Sequence, residues 1–537
     1  MTPSVDTPES RRCYLAIDLG TSGCKTAVVT LDGRVLGFAF RAVETLMLDG
    51  GGAEQRPADW WQALLDSAAE VLHRTGVDRR AIAAVACSSQ GEGTIPVDRD
   101  GQPLCNALLW MDMRGEAAVQ RLAGGGRLPK VAGYDPVKLW RWIRLTGGAP
   151  ALSGKDPVGH ISWLRASRPE IYARTDKFLN VPDYLNLRLT GRAAAPHDSA
   201  LTSWATDNRD PDRIDYHPAL LRQTGLERER LPDIVRPDEV IGQLLPAVAA
   251  RLGLPPGIPV VAGSVDNSAA ALGSGAVADR ALHFYAGTSS WLGAHVPFKK
   301  TDVFRHIASV PAALPGRYLM MAMQSAAGSN LSFLRDRLLF IKDGILREDT
   351  QPAAYRALDE VAAAVPAGAR GLLYLPWLVG ERSPVDDPHL RGTLLHMSLA
   401  HQRADMVRAF LEGVAYNTRW MLEPVSRFLG ESPQRLTIVG GGGQSDVWCR
   451  IFADVLGLEV IQPEQPIQAN VRGAAFLAAM GIGDITAADI PGLVPVRRVF
   501  EPQSQTREVY ARGYSGFKAA YRALSPFYRR HAWGAAA

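Results

Sequence analysis

The sequence predicts an α/β protein, and three observations predict it. The chain opens on short apolar runs separated by Gly-containing turns, a strand–glycine–helix unit stands near its far end, and a Gly-Thr-Ser step following an apolar strand occurs once in each half. With 537 residues, 47% hydrophobic and 21% charged, the composition is globular and long enough for two to four domains of roughly 100–200 residues each. Two halves with the same opening meander would be a duplicated α/β domain, although so short an echo also arises by chance.

The elements follow in order. Apolar runs at 13–18, 25–31 and 35–39, broken by a Gly/Ser/Thr turn and by Asp32-Gly33, predict a three-stranded meander. A helix is expected from Pro57 to about residue 74, with Trp60, Leu64, Ala68 and Leu72 on one face and Gly76 beyond its end. Residues 82–87 read as a buried strand, and 94–97 with 104–109 flank the turn 98–101 as a hairpin. Helical patterns cover about 135–145, 157–167 and 182–190, and an apolar strand covers 259–262. A second meander begins near residue 281, and the longest helix is expected over 404–427. The strand 435–439, the turn 440–443 and the helix 444–456 form the strand–glycine–helix unit, and the last helices lie at about 505–523.

Several function classes are disfavoured. Lys and Arg number 59 against 55 Asp and Glu, and Arg11-Arg12, Lys299-Lys300 and Arg529-Arg530 read as solvated surface, so nucleic acid is not an expected partner. The five cysteines are scattered and never spaced C-x-x-C, and His389, His396 and His401 are too loosely spaced for a metal site. Residues 1–12 read as a frayed polar tail, not a targeting peptide, and no apolar run approaches the roughly 18 residues of a membrane span. A soluble, cytoplasmic protein without a membrane partner is expected.

Several segments carry candidate chemistry. A Gly-Thr-Ser turn between strands offers backbone N–H groups and hydroxyls to an anion, so Gly20-Thr21-Ser22 and Gly287-Thr288-Ser289 together would clamp the phosphates of a nucleotide; each alone is also an ordinary hairpin turn. Asp18, at its strand end, would add a carboxylate for Mg²⁺. Asp266 follows the strand 259–262 and precedes small residues suited to a tightly packed helix, a place for a general base or for a helix cap. The glycines 440–443 either clear room for a ligand or let strand and helix pack closely. Glu381-Arg382 reads as an ion pair closing a turn, and Ser89-Gln90-Gly91-Glu92-Gly93 with Trp110-Met111-Asp112-Met113-Arg114 would line a polyol site or form ordinary surface.

Taken together, "YLAIDLGTSGCKTAVV" (14–29), "VPDYLNLRLTG" (181–191) with Asp198 and Ser199, "VVAGSVDNSAAALGSG" (260–275), "LPWLVGERSP" (375–384) through "LLHMSLAHQRADMVRAFLEGVAY" (394–416), and "IVGGGGQSDVWCRIFADVLG" (438–457) resemble the FGGY family of carbohydrate kinases, in the family's order. The resemblance implies two actin/hexokinase-like (ribonuclease H-like) domains with a central cleft: a tail 1–12, a sugar-binding domain 13–270 and a nucleotide-binding domain 271–537. It implies ATP and Mg²⁺, with Asp266 as catalytic base and Asp18 near the metal. Thr21, Ser22, Lys25, Gly287 and Thr288 would contact the phosphates, and Gly328, Ser332, Gly441 and Ser445 the rest of the nucleotide. Gly91, Glu92, Trp110, Asp266 and Asn267 would meet the sugar. A hinge is expected near 262–280.

The acceptor implied is a ketopentose such as xylulose. Other ketoses, polyols and aldonates (ribulose, glycerol, erythritol, gluconate) stand as alternatives, because Gly91-Glu92 replaces the Met-His of the family's xylulose kinases, while Trp110, Asp112 and Arg114 are similar to its pentulose kinases. The rivals outside the class are an actin-fold ATPase that is not a kinase and a sugar-binding module without turnover. A homodimer is the one protein partner entertained.

Overall fold

Residues 13–20 are apolar on both faces and form the strand Cys13–Gly20, buried along almost its whole length as a central strand with layers on either side must be. The computed structural model describes residues 12–125, 129–340 and 354–531; apart from Arg12, the tail expected over 1–12 lies outside them. Strand Cys13–Gly20 continues through Gly23–Thr30 and Val35–Ala42 as the predicted antiparallel meander. Ile82–Ser89 then joins the free side of Cys13–Gly20 in parallel, Pro259–Val265 joins Ile82–Ser89 in parallel, and Val240–Gln243 closes that edge antiparallel.

The second half repeats this plan. Leu282–Ala286, Ser290–Val296 and Tyr318–Gln324 form the meander, Arg435–Val439 and Glu459–Pro463 add in parallel, and Val496–Phe500 closes antiparallel. Ile307–Pro311 and Thr301–Asp302 extend the far side to eight strands. The five central strands take the same order in both sheets, which makes the Gly-Thr-Ser echo a duplicated core; the antiparallel edge strand precedes its neighbour in the first half and follows it in the second.

Helix Pro57–Thr75 begins on a proline and ends on Gly76 at φ 61°, and it lays Trp60, Leu64, Ala68 and Leu72 on one face of the first sheet together with helix Val181–Thr190. The other face is covered by helix Ala469–Gly481, from the far end of the chain, whose Val471, Ala474, Ala475 and Ala478 pack against Tyr14, Ala16, Ala84 and Val261. Arg403–Leu429, at 27 residues the longest helix, packs on the second sheet with Asp446–Leu456 and Arg507–Arg530.

Two expectations change. The hairpin around 98–101 makes its turn, but Ile95–Val97 pairs with Lys177–Leu179 and Ala107–Leu108 with Gly52–Gln55; only bridges at Thr94↔Leu108 and Val97↔Pro103 join the arms. Pro103 has no N–H to continue a ladder, and both strands find better partners. The last helix runs to Arg530 because Leu524 and Tyr528 stay packed on the second core beyond the expected end at 523.

Candidate active site

The parallel register sets Asp18 beside Ser88 and Ser88 beside Ser264, so three strands of the first sheet end side by side at one edge. That edge is where open α/β sheets bind ligands. Asp18 is buried; its Oδ1 accepts from Ser88 Oγ at 3.0 Å and from Asn470 Nδ2 at 3.3 Å. Burial pushes the Asp18 carboxyl up, opposed chiefly by Lys25. Its Oδ2 makes no hydrogen bond among the described residues, which leaves it available to a cation.

Asp266 opens helix Asp266–Gly273, with Oδ1 accepting from the Asn267 backbone N–H at 2.7 Å. Burial pushes its carboxyl up to about 7, reinforced by the charge of Asp18 and then by Glu92 and Asp198. Asp198 lies beneath: its Oδ2 accepts from the Val265 N–H at 3.1 Å, immediately before Asp266, and pins the strand end.

The Gly20–Gly23 turn is tight because Gly23 takes φ 154° with Arg41 O only 2.2 Å from where a Cβ would stand. Trp110 Nε1 donates to Thr21 Oγ1 at 3.0 Å, Thr21 Oγ1 to Gln90 Oε1 at 2.8 Å, Gln90 Nε2 to Gln55 Oε1 at 3.1 Å, and Gln55 Nε2 back to Thr21 O at 2.7 Å. This ring fixes the Trp110 face and commits the Thr21 hydroxyl proton, so the turn presents its exposed Ser22 instead. Lys25 Nζ reaches across to Ile467 O at 3.1 Å.

Glu92 holds φ at 60° between Gly91 and Gly93, a left-handed conformation that a side chain makes costly. Such strain persists where a side chain is needed at that point. Lys155 and then Arg382 oppose the upward push of burial on its carboxyl. Asp112 and Arg114 belong to the scaffold instead. Arg114 pairs with Asp112 at 2.5 Å and Glu54 at 2.6 Å, and Asp112 accepts from the Ala53 N–H. Of that expected lining segment, Trp110 is the residue bonded to the Gly20–Gly23 turn.

On the second sheet, the carbonyls of Gly287 and Thr288 accept from the N–H groups of Gly328 (2.8 Å), Ala327 (3.0 Å) and Ser329 (3.1 Å), seating the start of helix Gly328–Phe333 on the second Gly-Thr-Ser turn. Three of the four glycines 440–443 serve close packing: a Cβ would stand 2.9 Å from Ala286 O at Gly440, 2.7 Å from Ala286 Cβ at Gly442 and 2.9 Å from Ile438 O at Gly443. Gly441 alone faces open space. Ser445 caps its helix through Trp448 N and donates to Asp359, and Ser332 bonds Tyr355 at 3.0 Å, so neither hydroxyl points free.

The expected Glu381–Arg382 ion pair does not form. Glu381 is buried and accepts from the N–H groups of Ser325 and Arg382 and from Asn417, tying the loop to strand Tyr318–Gln324 and the long helix, while Arg382 turns toward Met323. A buried carboxylate saturated by neutral donors has no need of the guanidinium beside it.

The halves meet through Asn470 on Asp18 and through Arg472, whose guanidinium donates to Gly33 O, Gly273 O and Glu464 O. Sequence reasoning missed Ser88, Asn470 and Lys155, and it read Arg382 only as half of an ion pair. Only Asn470 carried a local signal, a polar residue opening a run of small helical residues much as Asn267 does.

Two repeated mixed sheets with facing glycine turns and paired carboxylates at the strand ends define a phosphotransferase of the actin/hexokinase class. The N-terminal domain of the FGGY family of carbohydrate kinases matches residues 13–273 and its C-terminal domain 282–482. The chain belongs to that family and is a carbohydrate kinase. It is 28% identical over 511 residues to the xylulose kinase of Bacillus subtilis, covering 94% of this chain and 96% of that one. The gluconokinase of the same organism is 25% identical over 476 residues, covering 88% of each. The crystal structure of xylulose kinase from Rhodospirillum rubrum superposes with a TM-score of 0.79 at 28% identity, covering 96% of this chain and all of that one. Use of ATP follows from the family. Among the described residues no helix is long and apolar enough to cross a membrane.

Proposed function

We propose that the protein transfers the terminal phosphoryl group of ATP to a hydroxyl of a ketopentose such as xylulose, with the acceptor on residues 13–270 and the nucleotide on 271–537. The observation that carries this reading is Asp266, a half-buried carboxylate poised near neutral pH beside Asp18 at a strand end. The pentulose is supported by the similarity to the Bacillus subtilis xylulose kinase.

Phosphoryl transfer asks for alignment, charge neutralisation and exclusion of water. Asp266, with Oδ1 held by Asn267, would take the hydroxyl proton through its other oxygen as the acceptor oxygen bonds to phosphorus and the bond to the ADP oxygen breaks. Lys25 and the turns at Thr21-Ser22 and Gly287-Thr288 would hold the phosphates; Gly328 and Gly441, with Ser332 and Ser445 as framework, would bound the nucleotide. Mg²⁺ fits Asp18, because it needs only one or two carboxylates beside phosphate and water oxygens and Oδ2 is available. Bound there, it would neutralise phosphate charge. Glu92, Trp110 and Asn267 would meet the sugar, with Gly91 making room.

The decisive test is ADP release with MgATP across xylulose, ribulose, glycerol, erythritol, gluconate and fructose. A clear preference for a ketopentose is expected; a preference for gluconate would favour the aldonate reading that the gluconokinase relative suggests. Release indifferent to every acceptor would sink both.

Two smaller predictions arise here. A base works only when ionised, so kcat/KM should fall about tenfold per pH unit below a midpoint near 7, the value to which burial pushes Asp266. A profile flat down to pH 5 would remove Asp266 as the titrating base. Glu92→Gly relieves a left-handed residue and should raise the unfolding free energy by about 1 kcal/mol while raising the acceptor KM. Loss of stability with unchanged KM would make Glu92 a structural carboxylate.

A further inference from the structure

Lys155 is a half-buried ammonium for which the fold supplies no fixed partner. Among the described residues its Nζ makes no hydrogen bond or ion pair; it stands 5.9 Å from the centre of the Trp110 ring, whose orientation the Thr21–Gln90–Gln55 ring fixes. Its neighbour Asp156 makes no ion pair with it among the described residues; that carboxylate accepts from the Ala151 N–H and acts on Lys155 only through its charge. The backbone beneath it is held: Gly154 takes φ 74° with its Cα against Gly115 and Glu116, where any Cβ would stand 2.1 Å from backbone atoms.

Charged groups from both halves of the chain act on one another around it. Asp18 and Glu92 act on Asp266, Lys155 and Arg382 act on Glu92, and Arg382 and Asp156 act on Lys155. Arg382 comes from the second half of the chain and Lys155 and Glu92 from the first, so the cations that act on Glu92 come from both halves. Trp110 is bonded to the Gly20–Gly23 turn and has Lys155 beside its ring, so an acceptor lying on that ring with its reacting hydroxyl on Asp266 would present its other end to Lys155. Glu92 accepts from hydroxyl groups, whereas an ammonium only donates and is best matched by an oxygen that only accepts.

Resting on the kinase reading above, we propose that Lys155 is a specificity-determining residue that selects acceptors carrying a carbonyl or carboxylate oxygen at the end remote from the reacting hydroxyl, against the corresponding alditols. Gly154 holds the backbone that carries the ammonium, so binding has the Lys155 side chain alone to order there.

The test is calorimetric binding, without nucleotide, of two pairs that differ only at that end: xylulose against xylitol, and gluconate against glucitol. The wild-type protein should bind the oxidised member of at least one pair about 10- to 100-fold more tightly, the size expected for a charge-assisted hydrogen bond. Which pair shows the preference distinguishes a carbonyl from a carboxylate. Lys155→Met should erase the preference while leaving alditol binding within about threefold, and Lys155→Gln checks the same loss with a polar side chain should Met disturb folding. Lys155→Arg should keep it. No wild-type preference, or the same preference in both Met and Gln variants, overturns the proposal. A lysine-dependent binding preference without acceptor-dependent ADP release from the wild type would overturn the kinase reading and leave Lys155 as a ligand selector.

Discussion

Asp266→Asn is expected to lower turnover by about 10²–10⁴-fold while sugar and MgATP bind nearly as before. The substitution keeps the shape and the acceptor oxygen that the Asn267 N–H holds, and it removes the one atom able to take the hydroxyl proton. The surroundings favour a clean result. Burial and the charges of Asp18, Glu92 and Asp198 all oppose ionisation of Asp266, so a neutral amide suits the site at least as well as the carboxylate. Stability should therefore hold or rise slightly, which separates lost chemistry from lost fold. Equilibrium binding by calorimetry and steady-state ADP release decide the matter together. Turnover within threefold of wild type would take Asp266 out of the mechanism.

Gly473→Ala should destabilise the protein by about 3 kcal/mol, a large effect for one methyl group. Helices Asp266–Gly273 and Ala469–Gly481 cross in backbone contact: a Cβ at Gly473 would lie 1.9 Å from Ala269 O, and one at Gly273 would lie 1.8 Å from Ala469 O. Neither neighbour is the end of a flexible side chain, so the helices themselves must part. Parting them moves Asn470 off Asp18 and Arg472 off Gly273 O, and so disturbs the carboxylate cluster as well as the packing. The same change at Gly516, where a Cβ meets only Leu373 Cδ2 at 3.8 Å, should stabilise by about 1 kcal/mol through helix propensity. Urea titrations of the two variants should thus shift in opposite directions, and equal shifts would refute a backbone-limited crossing. The hinge expected near 262–280 falls on this crossing. Small-angle scattering that stays unchanged on adding sugar and nucleotide would argue against any turning there.

Much of the site was legible because its residues sit where local signals are strongest. Asp18 and Asp266 each follow an apolar run, and a carboxylate placed there lies at a strand end whatever the rest of the chain does. The helix Pro57–Thr75 announced itself by its opening proline, its apolar face and Gly76. The glycines 440–443 left two readings open, and packing divided them, three against backbone or side chains and Gly441 to open space. Thr21 was legible as a turn residue, but its hydroxyl is committed to Gln90, a partner 69 residues away.

By itself the sequence determined the α/β class, the two meanders and the strand-end carboxylates, because turn chemistry and apolar periodicity act over a few residues. The tertiary structure alone decided that Ala469–Gly481 crosses back to cover the first sheet, that Asn470 completes the environment of Asp18, and that Arg114 is spent on Asp112 and Glu54 while Lys155, beside the Trp110 ring, has no hydrogen bond or ion pair among the described residues. Those outcomes depend on which distant groups burial brings together and on which of them then satisfy one another's charges and hydrogen bonds. No local pattern carries that information.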